Sequence, residues 1–402
     1  MQLFKDTEVR KAFYLGAICT ISYMAIYFAR NILGVITPEM IETTGFTIEF
    51  IGTLSTSCMI FYAVGQLING LAGDIINAKY MVSGGLFLAG ICNFIVPFSS
   101  SSMVMLAAYS MSGFFLSMIY APITKVVAEN TLPEYAVRCC LGYTVASFLG
   151  APAASIASIF FNWKNVFILC SLVLMLMGIS CFIVFTIFEK NDIIQYNRVK
   201  KDKTKGSVKV LIQNSIIKFT IVSVLTGIVR TSVVFWIPTY LSQYLGFSST
   251  AAAAIFTAIT LMKSASPFYN VFIYERILKR NMNAMLLLMF SLSAVCFALM
   301  FVMHNPILNT LFLLLALVSS AGASTMLFSV YCPSLSHTGM VSSATGFLDF
   351  MSYVAAATAN QLFANAVSDI GWGNLILVWA ALMLVGVIAS LPFKKTKTLS
   401  VK

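Results

Sequence analysis

The stretch SYMAIYFARNILGVITP, residues 22–38, decides the fold. Arg30 is its one charged side chain, and the apolar run continues upstream to Ala12. That is long enough to cross a hydrocarbon core, which takes about 20 residues of helix. No other conformation satisfies its backbone hydrogen bonds in lipid. A guanidinium keeps its proton, and lodging it at the bilayer centre costs about 3 kcal/mol or more. Arg30 therefore calls for an anion to offset it.

A second stretch echoes the first. In TGIVRTSVVFWIPTY, residues 226–240, Arg230 stands eight residues before Pro238, as Arg30 stands eight before Pro38. Gly45-Phe46 is answered by Gly246-Phe247, and at the same offset of 201 Asp74 falls on Glu275 and Lys79 on Arg280. The pattern predicts a duplicated unit. Two arginines at matching places define a two-sided clamp for phosphate or carboxylate, with bidentate geometry available to each.

Composition extends this to the whole chain of 402 residues. It is 59% hydrophobic and 10% charged, with a mean hydropathy of +0.90, where a soluble domain carries about a quarter charged residues. Apolar runs predict twelve spans: 12–38, 48–72, 78–98, 103–127, 137–161, 165–188, 213–245, 249–273, 283–303, 306–331, 340–366 and 372–393. The expectation is an all-α membrane protein with a six-helix bundle over 1–188, a basic linker over 189–212, a second bundle over 213–393 and a basic tail over 394–402. The linker carries Lys190, Arg198, Lys200, Lys201, Lys203, Lys205 and Lys209. With both termini cytoplasmic, the basic residues collect inside and only Lys164 falls outside, which is the positive-inside pattern. The net charge of +11 is thus topological and implies no nucleic-acid partner. The charged start followed by a long first span predicts a first helix that is retained.

Other classes of site find no support. Nine cysteines have no framework spacing, and all but Cys139 and Cys140 lie in apolar segments. His304 and His337 lack metal-ligand spacing, so no metal is expected. There is no phosphate-binding loop and no nucleophile constellation, so neither an enzyme nor a cofactor is expected. Tyr23, Tyr27, Trp236, Tyr240 and Tyr244 share the two arginine helices, as cavity rings that could meet a substrate body or as interfacial and packing aromatics. Lys263 and Asp349 are the other interior charges, read either as a fixed pair or as a pair switched by substrate or proton. Gly70, Asp74 and Lys79 read as a conformational gate, glycines for close helix approach and an acid and base for a latch. Lys125, Arg138, Glu129 and Glu134 flank a cytoplasmic turn, where snorkelling accounts for them.

YFARNILGVITPEM, GLAGDIINAKYMVSGGLFLAGICNF and VRTSVVFWIPTYL carry a resemblance over essentially the whole chain. They resemble the organophosphate:phosphate antiporter family of the major facilitator superfamily, which exchanges glycerol phosphate or sugar phosphates for inorganic phosphate. The resemblance implies the major-facilitator fold and places Arg30 and Arg230 on the family's phosphate-binding arginines. Asn31 follows the first arginine where many members have lysine. Gln66 stands where glycerol-phosphate carriers have a lysine, and Ser147 where they have a histidine; both are assigned to the substrate site with Tyr27, Trp236 and Tyr240.

The expected function is exchange of an organic phosphate for inorganic phosphate in the bacterial inner membrane, by a protein acting as a monomer. Proton-coupled symport of an organic carboxylate through Asp349 is one alternative. A transporter-like membrane sensor of sugar phosphate is another.

Overall fold

The computed structural model describes residues 7–196, 208–303 and 305–391. The described chain is helical. It runs α1 (Thr7–Thr44), α2 (Ile48–Gly73), α3 (Ala78–Ile95), α4 (Ser102–Leu116), α5 (Tyr120–Asn130), α6 (Pro133–Phe160), α7 (Trp163–Lys190), α8 (Val208–Gln213), α9 (Ile216–Ile228) and α10 (Val234–Gln243). Then come α11 (Ser249–Ser264), α12 (Ser266–Phe272), α13 (Met282–Val302), α14 (Pro306–Thr325), α15 (Cys332–Ser334) and α16 (Val341–Ser390), the last broken at Gly371. A π-helical turn, Val229–Val233, joins α9 to α10 into one rod, and another, Ile273–Ile277, extends α12.

Polar caps start the helices and glycines end them. Thr47, Asn162, Ser248, Asn281 and Asn305 each accept a backbone N–H from the first turn of α2, α7, α11, α13 and α14. Gly45 and Gly246 take left-handed φ of 70° and 74° at the exits of α1 and α10, so the sequence echo is also an echo of turn geometry.

Lipid explains the surface. On α7, Leu172, Leu176, Ile179, Ile183 and Ile187 are exposed along one stripe, while Cys170, Leu174, Gly178, Cys181 and Phe185 are buried on the other. An apolar face left uncovered over the length of a helix suits hydrocarbon, not water. Among the described residues, nine rods are long and apolar enough to cross a bilayer. α6, the α11–α12 rod and the part of α16 before Gly371 fall outside those nine.

Packing divides the chain into two compact units. The first comprises residues 1–214 with 329–350, and the second residues 215–328 with 351–402. The start of α16 packs with the first unit. Within the first unit α1 lies against α6, α3 against α7 and α2 against α4; within the second, α13 lies against α14.

Candidate functional site

In the first unit, Arg30 projects from the middle of α1 into a nest of phenol rings. Its guanidinium carbon lies 4.4 Å from the ring centroid of Tyr62 and 5.3 Å from that of Tyr27. Ring faces are negative, so they stabilise a desolvated guanidinium by about 2 kcal/mol each at best. Tyr23 extends the nest, 5.2 Å from both Tyr27 and Tyr120 and 5.9 Å from Tyr143. Asp349, on α16, is buried in the same unit and within electrostatic reach of Tyr23 and Tyr120. Asn31 turns back to donate to the Tyr27 carbonyl at 2.6 Å, so its amide braces α1 itself.

Gln66 is fully buried on α2. Neither its amide oxygen nor its amide nitrogen has a hydrogen-bond partner among the described residues. A buried amide left so costs about 1–3 kcal/mol per group, which a water or a polar ligand would recover. Ser147 lies on α6, and its side chain is outside the described residues.

In the second unit, Arg230 occupies the π-helical turn between α9 and α10, a distortion that recurs at functional sites. Its Nη2 donates to the Ser352 hydroxyl at 3.1 Å, and its guanidinium carbon lies 5.5 Å from the Tyr353 ring and 5.9 Å from the Phe328 ring. Lys263 is half-buried at the end of α11, within electrostatic reach of Arg230. The indole nitrogen of Trp236 is buried and has no hydrogen-bond partner among the described residues. Tyr240 differs: it is fully buried, donates its hydroxyl to Asn309 and packs against Tyr244, Trp372 and Trp379. Its polar handle is thus used inside the unit. Lys263 and Asp349, considered together from sequence, fall in different compact units.

The gate residues separate into two contacts. Asp74, at the end of α2, accepts the backbone N–H of Ser342 at 3.1 Å and of Ser343 at 2.9 Å through its two carboxylate oxygens. Those are the first amides of α16, where the helix dipole favours an anion. Lys125 stands behind it, donating to the Asp74 carbonyl at 3.0 Å with its Nζ 3.7 Å from the carboxylate. Burial pushes the Asp74 carboxyl above the usual range, opposed by the Ser343 contacts and by Lys125. Lys79 pairs instead with Glu189, at the far end of α7, at 2.5 Å. Gly70 permits the seam: a Cβ there would come 2.9 Å from the Gly346 Cα. Reading the sequence passed over the role of Lys125, although its i, i+4 spacing to Glu129 was a signal that this lysine has inward company. No group of three or more His, Cys, Asp or Glu residues suited to a metal occurs among the described residues. His337 bonds its own turn, Nδ1 to the Ser334 carbonyl at 2.9 Å, and His304 lies outside the described residues.

A multi-pass helical membrane protein with a half-buried, mid-helix arginine in each of two units, and a carboxylate gripping a helix start, has the build of a solute carrier. Comparison with known proteins agrees: the Major Facilitator Superfamily profile matches residues 19–360, and the chain belongs to that superfamily, whose members are transporters and not enzymes. The glycerol-3-phosphate transporter of Bacillus subtilis (strain 168) is 24% identical over 94% of this chain and 91% of its own length. The phosphoglycerate transporter protein of Salmonella typhimurium is 23% identical over 88% of this chain and 82% of its own. Among solved structures, the proton:xylose symporter bound to 6-bromo-6-deoxy-D-glucose aligns over 95% of both chains, with a TM-score of 0.69 and 10% identity, a likeness of fold alone. The relatives accord with the resemblance carried by the three quoted stretches.

Proposed function

We propose that this chain is a secondary active transporter that exchanges an organic phosphate, glycerol phosphate or a sugar phosphate, for inorganic phosphate. Alternating access would proceed around Arg30 and Arg230, in a protein of twelve spans forming two six-helix halves with both ends cytoplasmic. The observation that carries this reading is the pair of arginines at the centres of echoing helices, each in a partly desolvated setting whose cost an anion offsets. Guanidinium forks match phosphate oxygens, and the phosphate-ester carriers among the relatives support the choice of anion. Gln66 and Trp236, with buried polar atoms to satisfy, and Tyr27 complete the binding site in this reading; Ser147 stands with them by resemblance. Asp74 is the latch, releasing the first amides of α16 when access changes sides, and Lys79 with Glu189 steadies the same end. The carrier acts as a monomer in the bacterial inner membrane.

Counterflow tests it. Proteoliposomes loaded with phosphate are expected to accumulate labelled glycerol phosphate or hexose phosphate with no pH gradient. Uptake that requires the gradient and ignores internal phosphate would overturn exchange. Bound ligand without flux would indicate a sensor.

The buried Asp349 favours one second reading, proton-coupled uptake of an organic carboxylate. Asp349→Asn separates the two, because exchange persists within about twofold when no proton is carried, whereas a symporter loses its response to the gradient.

A further inference from the structure

The sequence echo pairs two turns, DIINAK at residues 74–79 after α2 and ERILKR at residues 275–280 at the end of the α11–α12 rod. Their surfaces differ. In the first, Asp74 is buried on the start of α16, Lys79 is 8% exposed and bound to Glu189, and the exposed side chains are Ile75 and Ile76. In the second, Arg276, Lys279 and Arg280 are all exposed. Those three cations share their turn with one acid, the half-buried Glu275, which lies 3.9 Å from Arg280.

The basic turn has a fixed shape. The N–H of Leu278 donates to the Ile273 carbonyl at 2.9 Å, that of Arg280 to the Tyr274 carbonyl at 2.8 Å and that of Asn281 to the Leu278 carbonyl at 2.9 Å. Hydrocarbon begins beside it. α13, a rod long and apolar enough to cross the bilayer, starts at Met282, two residues after Arg280. On the other flank Phe268, Phe272 and Ile277 are exposed along α12 and its π-helical extension, with Tyr269 exposed among them, a residue suited to the membrane interface. Arg276 and Ile277 are chain neighbours, so the cationic and the apolar surfaces meet. An anion that matches both brings its own acyl chains.

We propose that the turn at residues 276–280 binds the phosphate of an anionic phospholipid, whose acyl chains lie on Phe268, Phe272 and Ile277. Charge complementarity selects the lipid: phosphatidylglycerol offers a phosphodiester with no cation attached, whereas phosphatidylcholine brings an ammonium that the three cations repel. The guanidiniums of Arg276 and Arg280 match phosphate oxygens in pairs, and the Lys279 ammonium adds a point charge. The matching turn of the first unit exposes isoleucines and keeps its lysine on Glu189, so the lipid site belongs to the second unit alone.

The test titrates the detergent-purified full-length chain with dioleoylphosphatidylglycerol or with dioleoylphosphatidylcholine and counts retained lipid by native mass spectrometry. The wild type is expected to retain the phosphatidylglycerol at least about tenfold more tightly. Arg276→Gln with Lys279→Gln should lose about 20-fold in that affinity and leave phosphatidylcholine within about twofold. Each single variant should lose about fivefold, which keeps the test open if the double variant does not fold. Removing equal charge from exposed positions of the first unit, Arg10→Gln with Arg138→Gln, should change the affinity by less than about twofold. Millimolar inorganic phosphate should leave the lipid bound. An equal loss in the first-unit variant would reduce the effect to net charge, and displacement by inorganic phosphate would assign the turn to free phosphate; either result, or a wild type without preference between the two lipids, overturns the lipid site.

Discussion

Arg30 stands among phenol rings, Tyr62 nearest at 4.4 Å, whereas Arg230 keeps company with Ser352, two more distant rings and a second cation, Lys263. The two positions echo each other in sequence, and their surroundings differ. The first unit stabilises its cation with π faces and carries a buried carboxylate, Asp349, in the same body. The second offers its cation a hydroxyl and places another positive charge nearby. The first arrangement holds an arginine steady without ligand; under the proposed function the second would raise the reward for binding an anion. In the proposed reading a carrier must both hold its empty site and bind its solute, and the unequal units would divide that work.

The largest effect expected from breaking this comparison lies at a seam found in the first unit. A Cβ at Gly346 would come 2.2 Å from the Gln66 carbonyl oxygen and 2.7 Å from the Gly70 Cα, both backbone atoms that cannot swing aside. Gly346→Val should lower exchange in proteoliposomes by about 100-fold, with a lower melting temperature, since overpacking of this kind costs about 3 kcal/mol. Next comes Tyr62→Ala, which removes the nearest ring from Arg30. Exchange should fall about tenfold through lost cation–π contact and a cavity, while Tyr62→Phe restores most of it. A loss in the phenylalanine variant equal to that in alanine would mean that the hydroxyl, not the ring, matters. Smallest is Ser352→Ala in the second unit, where one hydrogen bond to Arg230 is lost and the Michaelis constant for phosphate should rise about threefold.

Much of this was legible in the residues because lipid leaves so few options. Some apolar runs gave rods within a few residues of their bounds, as with 213–245 against the rod from Ile216 to Gln243. The two arginines were legible because a charge in such a run is costly and because it occurred twice. Contacts between distant parts were not. Asp74 meets Ser342 and Ser343 across 268 and 269 positions, and no local pattern announces a pairing that depends on how helices pack. For the same reason Lys79 was read with Asp74, its near neighbour, although its partner is Glu189. The π-helical turn at Arg230 was invisible because Thr231, Ser232 and Val233 suit an ordinary helix equally well. Tyr62 was hidden for want of any charge or motif of its own, and Tyr240 could not be told from a cavity residue until Asn309 came into view.

The most direct test of the account is equilibrium binding of glycerol phosphate to purified Arg30→Lys and Arg230→Lys proteins, with membrane insertion and melting temperature checked for each. Lysine keeps the charge and loses the fork, so each variant should bind at least about 100-fold more weakly than wild type while remaining folded in the membrane. Wild-type affinity in either variant would remove that arginine from the site and contradict the two-sided clamp.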